Sequence, residues 1–209
     1  ATGGGMTPES DMLRPQFAPE VLAAIVNLAH RHGLRVAAHI RGAAAVPDCL
    51  AAGVDTFEHC SFHRIPDAEF EADPAVLAEL RRSGAFVTPT VIAYSEAMLP
   101  GKRRVVREIF EAGVPLAVGC DAGIPRAGFD DVWRELQALT ECGIPPAVAL
   151  RAAAYDTARA LGIEGETGSV TPGKRADLIA VRGDPRRDIS LLAHPTLVVK
   201  GGEIAFRRV

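Results

Sequence analysis

The sequence predicts an α/β fold, with about four consecutive βα units around a parallel sheet and a small β element after them. From Pro19 onward, segments with helical spacing of apolar residues alternate with short apolar runs. From Gly168 onward that rhythm stops, and a stretch rich in Gly and Thr leads into short alternating pieces. The 209 residues, 48% apolar and 23% charged, provide for one substantial core or somewhat more, which excludes disorder as the main state.

The elements follow in order. Pro19 to His32 reads as a helix, with Val21, Leu22, Ile25, Val26 and Leu28 on one apolar side, Pro19 in the first turn and Gly33 at the end. Leu34 to Ile40 is a strand, Gly42 to Ala52 a helix ended by Gly53, and Val54 to His59 a second strand. Pro74 to Arg82 is a helix ended near Gly84, and Ala85 to Thr88 the third strand. Lys102 to Ala112 is a helix ended by Gly113, and Val114 to Cys120 the fourth strand. Helices around Phe129 to Cys142 and Pro146 to Leu161 follow, joined at Gly143. In the tail, Ala176 to Val181, Leu197 to Lys200 and Glu203 to Phe206 read as strands, with a Gly201-Gly202 turn between the last two. A closed (β/α)8 barrel needs eight strands and typically about 250 residues, so this chain supplies half of one.

Composition narrows the partners. A net charge of -3 leaves no basic excess, which argues against nucleic acid and anionic membrane surfaces. Cys49, Cys60, Cys120 and Cys142 form no Cys-x-x-Cys pair and no disulfide framework, so a reducing, cytoplasmic compartment is expected. No apolar run approaches 20 residues, and Ala1 to Gly5 has none of the regions of a signal peptide. Thr2-Gly3-Gly4-Gly5 reads as a loop leaving a strand outside this sequence, so an upstream part is expected.

The chemistry lies where polar residues meet the predicted strands. His39 closes Val36-Ala37-Ala38-His39, His59 closes Phe57-Glu58-His59, and Asp121 follows Leu116-Ala117-Val118-Gly119-Cys120. In parallel α/β folds that edge is where loops and helix N-termini converge and sites are built. A single histidine there is more often a hydrogen-bonded core or rim residue. Three such residues on three of four successive strands point instead to a shared ion, because neutral imidazole nitrogen and carboxylate oxygen suit a zinc-like cation.

Together with Gly42, Ala51-Ala52-Gly53-Val54-Asp55-Thr56, Thr88-Pro89-Thr90 and Ala122-Gly123, these segments resemble the amidohydrolase superfamily, in its imidazolonepropionase-like and Xaa-Pro dipeptidase-like branch. Gly168 to Ile179 resembles the return of such enzymes to their small β-sandwich domain. The resemblance implies the C-terminal half of a (β/α)8 barrel over residues 1–165 and part of the β-sandwich over 166–209. It implies His39, His59 and Asp121 as ligands of one or two divalent ions, Zn in the first instance, with Asp121 also handling the proton during hydrolysis of a C-N bond in a dipeptide or acyl-amino acid. The family's His-x-His on strand one and bridging lysine on strand four are absent from this sequence. His30-Arg31-His32 sits on a helix, where neighbours two apart diverge. The chain alone is therefore expected to bind metal weakly, and to need either its N-terminal half or another copy of itself to cover open strand edges.

Other residues have narrower readings. Tyr94, His63 and Arg64 fall in loops after the third and second strands and are candidate substrate contacts, with exposed loop residues as the plain alternative. Glu58 precedes His59 and by alternation faces the other way, as a structural salt bridge or cap. Cys60 and Cys120 read as packing residues. Two rival readings stand beside the hydrolase: a non-catalytic ligand-binding or scaffold domain, and an unrelated open-sheet domain in which His39, His59 and Asp121 do not converge.

Overall fold

The computed structural model describes residues 1–64 and 69–208. Its first layer is a parallel sheet in the order β1 (Ala37–Gly42), β2 (Thr56–His63) and β3 (Phe86–Thr88). The segment expected as a fourth strand adds only one parallel bridge, Leu116 to Val87, through Val87 N to Pro115 O at 3.0 Å and Ala117 N to Val87 O at 2.9 Å. The next amide, Val118 N, points away from β3 and donates to Thr157 Oγ1 at 2.9 Å.

Helices cover this sheet for local reasons. The helix α1 (Pro19–Arg31) begins on Pro19, and α2 (Val46–Ala52), entered through a 3-10 turn at Ala43–Ala45, stops at Gly53 in the left-handed region with φ 80°. Asp73 caps α3 (Pro74–Ser83) by accepting from Ala75 N at 2.8 Å. The helix α4 (Leu99–Glu111) buries Lys102, Val105, Val106 and Ile109, one stripe at helical spacing with a lysine in it. In α5 (Val132–Glu141) the buried stripe is Glu135, Leu136, Ala138 and Leu139. The last α-helical stretch is α6 (Pro146–Arg151) and α7 (Thr157–Leu161), joined without a break by a π-helical turn at Ala152–Asp156.

One core runs between sheet and helices, with Phe57, Leu80, Ile109 and Leu139 wholly buried in it. The apolar side read for α1 is buried in part: Leu22 and Val26 pack inward, while Val21, Ile25 and Leu28 stay about half exposed. A separate antiparallel sheet, β4 (Leu178–Ala180), β5 (Leu197–Lys200) and β6 (Glu203–Arg207), forms the tail, and its strands lie largely open. Among the described residues no helix is long and apolar enough to cross a membrane, and all four cysteines are free and buried.

Candidate metal centre

Strand register sets the first half of the site. His39 lies opposite Glu58, and Glu58 opposite Thr88, so these three share one face of the sheet. His39 is thus a mid-strand residue, because β1 continues to Gly42. His59 lies opposite Ile40, which faces the core, so simple alternation would turn it away from His39. Its backbone prevents that. His59 has φ 66° and Cys60 φ 44°, a left-handed excursion that costs roughly 1–3 kcal/mol per residue. The excursion brings the two imidazoles together edge to face, 4.4 Å between centroids, with His59 Nε2 2.9 Å from His39 Nδ1.

The outer nitrogens decide the tautomers. His39 Nε2 lies 3.1 Å from the Gly3 carbonyl, which can only accept, so Nε2 carries the proton. His59 Nδ1 lies 2.6 Å from Thr90 Oγ1, which also lies 2.7 Å from Pro89 O; with the hydroxyl hydrogen on Pro89 O, Nδ1 donates to Thr90. Burial holds His39 below its ordinary pKa and, with the charges of Arg41 and Lys102, pushes His59 down to about 2. Both rings are therefore neutral. In these tautomers His59 Nε2 and His39 Nδ1 turn lone pairs towards each other across 2.9 Å, the arrangement that offers both to a cation; with the Thr90 hydroxyl hydrogen on Nδ1 instead, His59 Nε2–H donates to His39 Nδ1 as an ordinary hydrogen bond. Neutral histidines whose far N–H is held by a carbonyl or hydroxyl are how proteins present imidazole to a divalent ion, so His39 and His59 fit one.

Asp121 lines the same cleft, of about 530 Å³, with an exposed carboxylate and a left-handed φ of 57°. Its charge acts to raise the pKa of His39. Among the described residues no cluster of three or more His, Cys, Asp or Glu side chains is closed tightly enough to hold an ion. The chain thus contributes a histidine pair with a carboxylate beside it, and a closed four-ligand shell needs more.

Beneath the histidines lies a buried polar group that sequence patterning did not single out. The Lys102 ammonium donates to the carbonyl of His59 and sits 4.8 Å from the Tyr94 ring centroid. Burial pushes its pKa down to about 8. Glu135 accepts from Val91 N at 2.8 Å and Ile92 N at 3.0 Å, which fixes the turn after Thr90. A charged residue inside an apolar helical stripe was the available signal for both.

Tyr94 is no exposed loop residue. It is 3% exposed, its phenol bonds Ser61 Oγ, and its ring forms part of the cleft wall. His63 ends β2 and, with Arg64, lines a separate depression of about 600 Å³, where Arg64 pairs with Glu71. Glu58 differs from the expected salt bridge. It shares the face of His39, accepts from Thr88 Oγ1 at 3.3 Å, and is held above the usual carboxylate range by burial, with Asp121 adding repulsion. The reason is the left-handed turn at His59, which breaks the alternation between the two. His30, in the last turn of α1, bonds Asp55 at 2.9 Å, and neither is among the residues that line the cleft. Arg41 lines the cleft, two residues beyond His39 on the same face of β1; alternation alone would have found it.

A parallel α/β sheet that sets two histidines and a carboxylate on the wall of one cleft makes this an α/β protein with its candidate site at that cleft. The chain belongs to the amidohydrolase family, whose sequence signature matches residues 4–205. Ochratoxinase of Aspergillus niger is 30% identical over 98% of the chain and 45% of its own length. A crystallised Xaa-Pro dipeptidase with methionine in its active site superposes with a TM-score of 0.87 at 31% identity, over 99% of this chain and 53% of that one. A putative prolidase from Bifidobacterium longum superposes at 0.81 with 30% identity, over 94% and 53%. The chain spans about half the length of the relatives it matches.

Proposed function

We propose that the chain carries part of the active site of a metal-dependent hydrolase that cleaves C-N bonds in dipeptides or acyl-amino acids. The observation that carries it is the pair of neutral imidazoles whose inner nitrogens stand 2.9 Å apart in a cleft that Asp121 also lines. Family membership and likeness to a dipeptidase support the reaction class. In this reading residues 1–165 are four units of a (β/α)8 barrel and 166–209 part of a β-sandwich, with further strands supplying the remaining ligands.

A bound divalent ion such as Zn would supply an acidified water and an electrophile for the carbonyl oxygen. His39 and His59 would hold it, oriented by Gly3 O and Thr90. Asp121 takes a proton from the attacking water as the C–O bond forms, then returns it to the departing nitrogen as the C–N bond breaks. Lys102 keeps the His59 backbone in its left-handed turn by holding the carbonyl.

The test is metal analysis and hydrolysis of N-acyl amino acids on the protein expressed from its complete native reading frame. The expected result is turnover that needs the ion and that Asp121→Asn lowers by at least about 10²-fold, the low end for a general base, with metal content unchanged. A protein that takes up no divalent ion, or one whose Asp121→Asn variant turns over at the wild-type rate, would falsify the proposal.

A further inference from the structure

The three methionines of the chain, Met6, Met12 and Met98, all line the cleft that holds His39 and His59. Ile124 and Pro125 line it with them, so the cleft carries an apolar set of side chains beside the polar set of His39, His59 and Asp121. The methionines come from separate parts of the chain: Met6 and Met12 from the irregular stretch before α1, Met98 from the residue that precedes α4. Met6 is 68% exposed, and Met12 and Met98 are half-buried. A single exposed apolar side chain is ordinary, but an apolar cluster gathered at one cleft from two distant segments marks a place where an apolar guest is received.

Met12 and Met98 also line a second depression, of about 500 Å³, together with Leu13 and the ring of His63. The two thioethers therefore stand between this depression and the cleft of about 530 Å³. Asp11, which borders the depression, is engaged within its own stretch: Oδ1 accepts from Leu13 N at 2.8 Å and Oδ2 pairs with Arg14 at 3.2 Å. The end of Met12 lies against Gly5, where a Cβ would stand 3.4 Å from its methyl carbon, so Gly5 confines it with backbone alone. An unbranched thioether turns about three side-chain bonds and gives up no strong hydrogen bond when it does. Met12 and Met98 can thus swing aside for an apolar chain and close over the space when it leaves.

We propose that Met12 and Met98 determine specificity as a movable apolar partition, which admits a straight apolar chain of the substrate from the cleft into the depression behind it. The site then favours acyl-amino acids that carry such a chain beside the scissile C–N bond over short or polar ones. This rests on the hydrolase reading for the reaction and adds the substrate class. Specificity held on loop residues, with the candidate ligands His39 and His59 on strands, is the division of labour that α/β sites of this kind use.

The probes are N-acetylglycine, N-hexanoylglycine and N-acetylnorleucine; the last two add the same length of carbon chain, one on the acyl side and the other on the amino-acid side of the C–N bond. All proteins are expressed from the complete native reading frame. Binding is measured by calorimetry on Asp121→Asn, which removes the proposed proton carrier, and kcat/KM on the wild type. At about fourfold for each buried methylene, one of the longer probes is expected to bind on the order of a hundredfold tighter than N-acetylglycine, and the probe that gains tells on which side of the bond the chain lies. Met12→Gln combined with Met98→Gln, which makes the partition polar at similar length, is expected to cut that ratio to under about tenfold. Met12→Leu combined with Met98→Leu keeps most of it, because the wall stays apolar. A ratio near one for both longer probes overturns the proposal without any methionine variant. A ratio that survives the glutamine pair, or that the leucine pair loses as completely, overturns it as well. Binding that depends on the chain without any hydrolysis defeats only the hydrolase reading, whereas hydrolysis at equal kcat/KM for all three probes defeats only the partition.

Discussion

Thr90 Oγ1 lies 2.6 Å from Nδ1 of His59 and 2.7 Å from the Pro89 carbonyl oxygen. Thr90 is itself left-handed, with φ 51°, and the turn that follows is tied to Glu135. The hydroxyl thus fixes which nitrogen of His59 carries the proton, and so which one faces His39.

Removing that hydroxyl should release the tautomer and the ring. Loss of such a partner typically costs 10–100-fold in metal affinity, and Thr90→Ala is expected to weaken Zn or Co binding by about that factor. Thr90→Ser, which keeps the acceptor, should recover most of the loss. Competition against a chromophoric chelator measures both, and an unchanged affinity in Thr90→Ala rules out the orienting role.

Glu135 gives a prediction about pH. It is wholly buried, and desolvation outweighs its two backbone hydrogen bonds, pushing its pKa up to about 7 from 4.5. Between those values the folded state holds its proton more tightly than the unfolded chain does. Unfolding free energy therefore falls as pH rises across that window, and this contribution levels off above it. Glu135→Gln removes the titration, so its stability relative to wild type should improve by on the order of 3 kcal/mol from pH 4.5 to 7.5. Lys102, pushed down to about 8, titrates mostly above this range. Urea unfolding of both proteins across the range is the check, and a difference that does not vary with pH contradicts it.

Much of the fold was legible because its signals are local. Apolar spacing and terminal glycines place six helical segments within a few residues of their observed bounds, α4 starting three residues early at Leu99. The tail strands follow from alternation. The fourth strand, read over Val114 to Cys120, is reduced to one bridge because its partner β3 ends at Thr88, before Pro89 and the left-handed Thr90, a limit set by the neighbouring strand that no pattern within the segment reveals. At the site, His39 and Arg41 follow from the period of β1. The meeting of His59 with His39 does not, since it depends on a left-handed backbone that the Lys102 ammonium holds from another helix.

Core substitutions should separate packing from patterning. Phe57 is wholly buried on β2, within the single main core, and Phe57→Ala is expected to cost about 3–5 kcal/mol. Phe129 is 86% exposed, and Phe129→Ala should stay within about 0.5 kcal/mol of wild type. Denaturant unfolding of the two variants decides this. A small loss at Phe57 means that this core is not the one the chain relies on.

Gly42 ties stability to the site. Its φ of -75° suits any residue, so backbone freedom does not explain the glycine; space does. A Cβ there would stand 1.8 Å from the Leu13 carbonyl oxygen and 2.5 Å from its carbon, both backbone atoms that cannot swing aside. Just before Leu13, Asp11 O accepts from Gly3 N at 2.9 Å, and the Gly3 carbonyl is what orients His39. Gly4, Gly5 and Met12 from the same stretch line the cleft. Gly42→Ala must therefore displace the whole stretch, at an overpacking cost of about 1–3 kcal/mol, and loosen His39 as it moves. Unfolding should register the first effect, and a drop in divalent-ion affinity the second. Wild-type stability in this variant would mean that Leu13 does not press against β1, and lost stability with intact affinity would separate Gly3 from the control of His39.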